Sequence, residues 1–382
     1  MGSSKTRKIR LHGITRTVLC CLMLICAIGC DREKSLKIGF AGSLTGRFSA
    51  LGIDGRDGVV LAIEEMNQKG GLNGIPVELV VGDDRSDWST VLEVDRKLIG
   101  RGVVAIVGHM TSVTTLAALP LVNRETIVMI SPTASSEELS GREDYFFRVV
   151  NSNRYEAEKL GAHAVEKMGL KKPACLFDLT NRSFAESWCS YFAAPFGDAG
   201  GDRNITITGF DPEEDSPYLG RARELLLHGA DCLVISANAV DTAMICQQFR
   251  KLGGDLPIFS SGWALTKELV LQGGASVEGV MFLHKFDRMS QEPLYLDFKK
   301  AFVKRFAREP DFGAVNAYDA VQVLFTALTQ GYDGQDLRDR IKNIEEFRGL
   351  QFAFKFDEFG EALHSSNLIV VQNGRFVTID RL

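Results

Sequence analysis

The sequence predicts an α/β protein built as two Rossmann-like lobes with parallel-dominated sheets, and three observations carry that expectation. From Leu36 onward, short uninterrupted apolar runs alternate with amphipathic stretches of helical period. Continuous apolar strands joined by helices describe a parallel sheet covered on both faces. The alternation restarts after about Asn151, and no low-complexity linker separates the halves, so the chain is expected to cross between lobes several times. A length of 382 residues agrees, because single cores stop growing near ~250–300 residues.

The first round offers strands at Lys37–Ala41, Val77–Val81, Val103–Val107, Ile127–Ile130 and Phe146–Val150. Between the first two, Val59, Val60, Ala62, Ile63 and Met66 form one apolar stripe of a helix over Gly58–Gln68, with Glu64, Glu65 and Gln68 facing water. Gly70-Gly71 ends it, as glycine at a helix C-terminus does. The second round reads helix Glu156–Met168, strand Ala174–Leu179, helix Phe184–Phe196, strand Ile205–Thr208, helix Tyr218–His228 and strand Cys232–Ser236. Helix Asp241–Leu252 leads to strands Ile258–Ser260 and Gly279–Leu283. Helices Pro293–Ala307 and Asn316–Gln330 follow, and Phe352–Phe356, Leu368–Val371 and Phe376–Ile379 close the chain.

Composition excludes several classes. The chain is 45% hydrophobic and 24% charged, with a formal charge of −5, which is ordinary for a globular protein and lacks the basic footprint of a nucleic-acid binder. Residues 1–29 hold Lys5, Arg7, Lys8, Arg10 and Arg16, no acid, and the apolar run Val18–Ile28. That run is too short to cross a bilayer, which takes about 20 residues, and reads as a secretory signal. Its end, Ala27-Ile28-Gly29-Cys30, resembles the lipobox of bacterial lipoproteins. The resemblance implies cleavage after Gly29, diacylglycerol on Cys30, and a short tether over 30–35 that holds the body to the outer face of the cytoplasmic membrane. Cys175, Cys189, Cys232 and Cys246 remain in the mature chain. They fall in apolar strand and helix patterns and are expected to be buried, unpaired thiols.

Motifs of catalysis are missing: no phosphate-binding G-x-x-x-x-G-K-[ST], no G-x-G-x-x-G after a strand, no G-x-S-x-G, no H-E-x-x-H, and no metal-spaced histidines. Neither a cofactor nor a metal is expected, and the reading is a binder rather than an enzyme. Asp83, Asp84 and Asp87 follow the second strand, where an Asp-rich loop caps the next helix, near Ser89, more often than it holds a cation. What stands out instead is hydroxyl-rich loops at strand ends. Gly108-His109-Met110-Thr111-Ser112-Val113-Thr114-Thr115 opens a helix after the third strand, and Ser131-Pro132-Thr133-Ala134-Ser135-Ser136 follows the fourth. A helix start offers free N–H donors and positive partial charge, and neighbouring hydroxyls add donors without a counter-charge. Together with Gly42-Ser43-Leu44-Thr45-Gly46 at the first strand, they predict an anion pocket on one sheet edge, in the crevice outside the strands' carboxyl ends.

The stretch IGFAGSLTGRFSALGIDGRDGVVLAIEEMNQKGGLNGIPVELVVGDD, followed by VVAIVGHMTSVTTLAALPLVN and VMISPTASSEEL, resembles the opening of the leucine/isoleucine/valine-binding-protein family of type I periplasmic binding proteins. The resemblance implies two lobes joined by three crossovers, here 36–151 plus 285–350 and 152–284 plus 351–382. It implies a small-molecule ligand held between them, delivery to an ABC permease, and a monomer. A ligand-sensing receptor subunit of the same fold is the competing reading. In amino-acid binders of the family, hydroxyls and main-chain N–H groups of the first lobe hold the ligand carboxylate. The matching positions are Ser112, Thr133 and Ser135, with the adjoining Thr111 and Ala134. The second lobe of such binders offers acidic and aromatic groups to the ammonium. The corresponding positions here, Asn153 or Arg154, Arg182, Asn238, and Gly262 or Trp263, lack the acid. This departure leads to the expectation that Arg154 and Arg182 supply positive charge, and Tyr155 and Trp263 aromatic walls, for a carboxylate without a free ammonium.

Overall fold

The computed structural model describes residues 35–200, 206–214, 216–227, 229–331 and 334–382. The signal segment and Cys30 lie outside the described residues.

Chain order places the first sheet early. Strands β1 (Leu36–Gly42), β2 (Val77–Asp83), β3 (Ala105–Val107), β4 (Val128–Ser131) and β5 (Phe146–Arg148) form one all-parallel sheet in the order β2-β1-β3-β4-β5. Helices α1 (Ser49–Gln68), α2 (Trp88–Gly100) and α3 (Ser112–Arg124) connect them. Asp87 caps α2 by accepting the Ser89 N–H, so this aspartate of the Asp-rich loop serves as the helix cap that the pattern suggested. Because β1 and β3 are adjacent while the chain order reverses there, the loops after both strands open on the same crevice.

The second sheet has seven strands. These are β6 (Pro173–Asp178), β7 (Thr206–Phe210), β8 (Cys232–Ser236), β9 (Ile258–Ser260), β10 (Met281–His284), β13 (Asn367–Gln372) and β14 (Arg375–Arg381), in the order β14-β13-β10-β9-β8-β6-β7. Of its late strands, β13 runs antiparallel to β10 and β14 antiparallel to β13, so β13 alone opposes the direction of the others. Helices α4 (Asn153–Met168), α5 (Arg182–Asp198), α6 (Pro217–Leu227), α7 (Ala239–Lys251) and α8 (Lys267–Gly273) cover it. Cys175, Cys189, Cys232 and Cys246 are buried and free, as small apolar residues.

After β10 the chain returns to the first sheet through α9 (Pro293–Phe306) and α10 (Phe312–Leu328). Helix α10 lies so close to α1 that a Cβ on Gly58 would stand 2.2 Å from the Ala314 carbonyl oxygen, so that position admits glycine alone. Then come α11 (Gly334–Lys342) and a two-stranded ribbon, β11 (Phe347–Arg348) with β12 (Ala353–Phe354). The last expected strand before β13 is thus shorter than Phe352–Phe356. Phe354, Phe356 and Ala362 pack into the first-sheet core with Phe147 and Val149. The segment following residue 351 packs with the first sheet until the chain reaches β13 at Asn367.

Three strands of chain pass between the sheets, near 149–152, 285–287 and 364–366, and a buried polar network ties them. Asn151 Nδ2 donates to the His364 carbonyl at 3.0 Å and Ser366 Oγ at 3.1 Å, and Asn367 Nδ2 donates to the Lys285 carbonyl at 2.9 Å.

Candidate functional site

The crevice between the two sheets is nearly shut. It is lined by Leu51, Met110, Thr111, Ser112, Thr133 and Ser135 on the first-sheet side, and by Glu156, Asn181, Phe184, Gly262, Trp263, His284 and Phe312 elsewhere. Its volume is about 40 Å³, above the ~10–15 Å³ that one water needs.

The first wall grows from two strand ends. Gly108 leaves β3 at φ +142°, where a Cβ would stand 2.2 Å from the Ala41 carbonyl oxygen. That close approach sets the next residues on the edge of the sheet. Behind them His109 is wholly buried between Asp84, 2.7 Å from its Nδ1, and Asp95, 3.1 Å from its Nε2. Burial opposes the imidazolium, but the two carboxylates outweigh it and push the ring up to about 10. Burial likewise raises Asp84, yet its hydrogen bond and attraction to His109 leave its carboxyl below the ordinary range. The His109 carbonyl then accepts from Ser131 Oγ at 2.7 Å, so this charged triad anchors the loop that carries the site.

Hydroxyl bookkeeping separates the candidates. Ser112 Oγ accepts the N–H groups of Ser135 and Ser136 at 3.2 and 3.1 Å, which stitches the two loops together and leaves its own hydrogen without an acceptor among the described residues. Thr133 Oγ1 gives its hydrogen to the Met110 carbonyl at 2.6 Å. Ser135 Oγ has no protein partner among the described residues, and the Ala134 N–H is taken by Ser131 Oγ at 2.9 Å. Thr111 is the N-cap of α3, but its hydroxyl bonds Thr114 Oγ1 at 2.7 Å instead of capping the helix. The first N–H groups of α3 are left uncapped by their own N-cap, which is the arrangement that attracts an anion. Val113 N–H is met by Asn181 Oδ1 at 3.4 Å, from the opposite sheet.

The second wall is aromatic. Trp263 stands 5.8 Å edge-on to Phe184 and 5.2 Å from Phe48, which reaches across from the first sheet. Glu156 is buried at the crevice, and burial pushes its carboxyl up to about 8 against the pull of nearby Lys285. His284 is driven down to about 3 by burial and by Lys285, so its ring is neutral. At the rim, Arg47 from the β1 loop bonds Asp241 and, at 3.3 Å, Asp178, while the Tyr218 hydroxyl donates to Asp241 at 2.6 Å. Ser136 Oγ adds a bond to the Ser183 carbonyl at 2.9 Å. The two halves are clasped together.

The remaining sequence candidates are placed elsewhere. Arg154 projects to solvent and binds Glu158 at 2.8 Å, and Arg182 binds Glu186 at 2.6 Å. Each is an exposed pair four residues apart on a helix, with side chains 54% and 65% exposed. Tyr155 lies outside the crevice, with the Lys159 ammonium 4.8 Å from its ring centre. Asn238 caps α7 by accepting the Val240 and Asp241 N–H groups. Expected positive charge in the crevice is thus corrected: geometry spends both arginines on neighbouring acids. Sequence reading missed Glu156, His284, Asn181 and Phe184. Asn181 follows the end of β6 and His284 ends β10, so the position at a strand's carboxyl end was the available signal. Among the described residues there is no cluster of metal-binding side chains, and no helix is long and apolar enough to cross a membrane.

A family model described as "Periplasmic binding protein" matches residues 35–375. A leucine-, isoleucine-, valine-, threonine- and alanine-binding protein of Pseudomonas aeruginosa is 24% identical over 337 residues, covering 86% of this chain and 87% of that one. A leucine binding protein of Thermotoga maritima superposes with a TM-score of 0.83 at 24% identity, over 91% of this chain and 98% of its own. A solute binding protein of an ABC transporter from R. palustris, in complex with benzoate, gives 0.80 at 21%, over 91% and 96%.

Proposed function

The chain belongs to the periplasmic binding protein family, and from that premise we propose that it is the extracytoplasmic solute receptor of an ABC importer, closing two lobes on a small carboxylate. The family is one of solute-binding proteins rather than enzymes. The carrying observation is the first wall: the unspent Ser112 hydroxyl, the free Ser135 hydroxyl and the uncapped start of α3 converge on one end of the crevice. Thr133 contributes once its hydroxyl turns from the Met110 carbonyl. No side chain with a full positive charge lines the crevice among the described residues, so the anion is held by dipoles, which release it more readily than a buried salt bridge would. Trp263 and Phe184 supply the apolar wall.

A leucine binder and a benzoate complex stand among the relatives, and the group their ligands share is a carboxylate. The lobes divide along the two sheets, 36–151 with most of 285–350 on one side and 152–284 with the closing strands on the other. Lipid on Cys30 would tether a monomeric receptor beside its permease. Mass spectrometry of the membrane-extracted protein tests the tether: a Cys30→Ser chain is expected to lack the added diacylglycerol mass.

Ser112→Ala is the test of the crevice. Losing one hydrogen bond to a charged group costs about 1.5 kcal/mol or more, so carboxylate affinity is expected to fall roughly tenfold by calorimetry. Unchanged affinity would place the ligand elsewhere.

A further inference from the structure

His284 is oriented more firmly than packing alone requires. The Phe286 N–H donates to its Nδ1 at 3.1 Å, so that nitrogen is the acceptor and the ring proton sits on Nε2. Phe312 holds the ring edge-on at 5.1 Å, and Gly262 lies so near that a Cβ there would stand 2.3 Å from His284 Cδ2. Burial keeps the ring neutral. The result is a fixed N–H donor in the crevice wall that finds no protein acceptor among the described residues.

Glu156 lines the same crevice, and behind it Lys285 is buried between Glu156 and Asp319. Burial draws the lysine down to about 8 and raises Asp319 to about 6. A ligand ammonium entering here would meet a carboxyl that burial holds largely protonated, with the Lys285 ammonium nearby. It would also face the His284 donor with a donor of its own. A ligand oxygen does the opposite: its lone pair accepts from Nε2–H, and a hydroxyl hydrogen is accepted by Glu156. Phe184, Trp263 and Phe312 frame this part of the crevice and favour a flat body between them.

We propose that His284 and Glu156 form a second polar subsite that takes an oxygen function of the ligand, so that the receptor selects a hydroxylated aromatic carboxylate over an α-amino acid. This rests on the crevice being the ligand site. The experiment is calorimetry of benzoate, 3- and 4-hydroxybenzoate and L-leucine against the wild-type chain, His284→Phe, His284→Gln, Glu156→Gln and Ser112→Ala, with thermal melts confirming folding. One hydroxybenzoate is expected to bind about tenfold more tightly than benzoate. His284→Phe should erase that advantage while leaving benzoate unchanged, whereas His284→Gln, which keeps an N–H donor, should restore part of it. Glu156→Gln keeps both donor and acceptor and should stay within about threefold. Should His284→Phe not fold, the comparison of His284→Gln with wild type decides, and an advantage unaltered by it counts against the subsite. The idea is overturned if L-leucine binds most tightly and loses affinity in Glu156→Gln, or if the hydroxyl advantage survives His284→Phe. Carboxylates that respond to Ser112→Ala but ignore His284 would leave the crevice intact and sink only the subsite. If none of the four compounds binds, both readings fall.

Discussion

His109→Gln is expected to lower unfolding stability by about 3–5 kcal/mol, the cost of stranding buried charges when their partner is removed. The ring lies between Asp84 and Asp95, all three wholly or almost wholly buried. Glutamine keeps a donor but no charge, and Asp95 Oδ2 already lacks a hydrogen-bond partner in the native arrangement. The pH dependence identifies the mechanism. Folding raises His109 from 6.5 to about 10, so its stabilising contribution is fully present below pH 6.5 and is lost as pH rises through 10. Denaturant melts should therefore show the widest gap between wild type and variant near pH 6 and a much narrower one near pH 10. A gap that stays constant would mean the loss is one of packing. The Ser131–His109 contact links this to function, because a loosened His109 carbonyl also releases the loop bearing Thr133.

Arg47→Ala is expected to weaken ligand affinity about 30- to 100-fold without moving any group that touches the ligand. Arg47 spans the crevice to Asp178 and Asp241, whose side chains are almost completely buried, while its own is 30% exposed. Removing one partner of a hydrogen-bonded charge pair costs about 2–5 kcal/mol, and partial exposure places this case at the lower end. The penalty applies only while the lobes are together, since parting them rehydrates both acids. The closed population falls, and apparent affinity falls in proportion. Burial raises Asp178 and Arg47 opposes this; without the guanidinium, acid should neutralise Asp178 and repair closure. The affinity defect is thus expected to shrink from pH 8 to pH 5. Small-angle scattering at a 4-hydroxybenzoate concentration that just saturates the wild-type chain should report a larger radius for the variant at pH 8, and equal radii would refute the clasp.

The alternation of apolar runs made both sheets legible, because parallel strands buried on two faces write themselves as continuous Val, Ile and Leu. The hydroxyl loops were legible as well, since Ser112 and Thr133 sit where helix starts meet strand ends. The second wall was not. Arg154 and Arg182 looked available in a linear reading, although Glu158 and Glu186 four residues later already marked them as helix-surface pairs. Glu156 appeared only as the start of an expected helix, and its burial beside Lys285 is set by tertiary packing. Of the ribbon, β12 lay within the expected strand Phe352–Phe356, whereas β11 escaped notice because a two-residue strand has no period to detect.

Asn181 gives the closed form a reporter of its own. Its side-chain oxygen meets the Val113 amide from the far lobe, so one of the first amides of α3 is quenched by the part of the molecule that moves. Swinging apart bares that amide to solvent. Deuterium uptake at Val113 should then count openings directly, and each release event would return to the helix the partial charge that draws in the next guest.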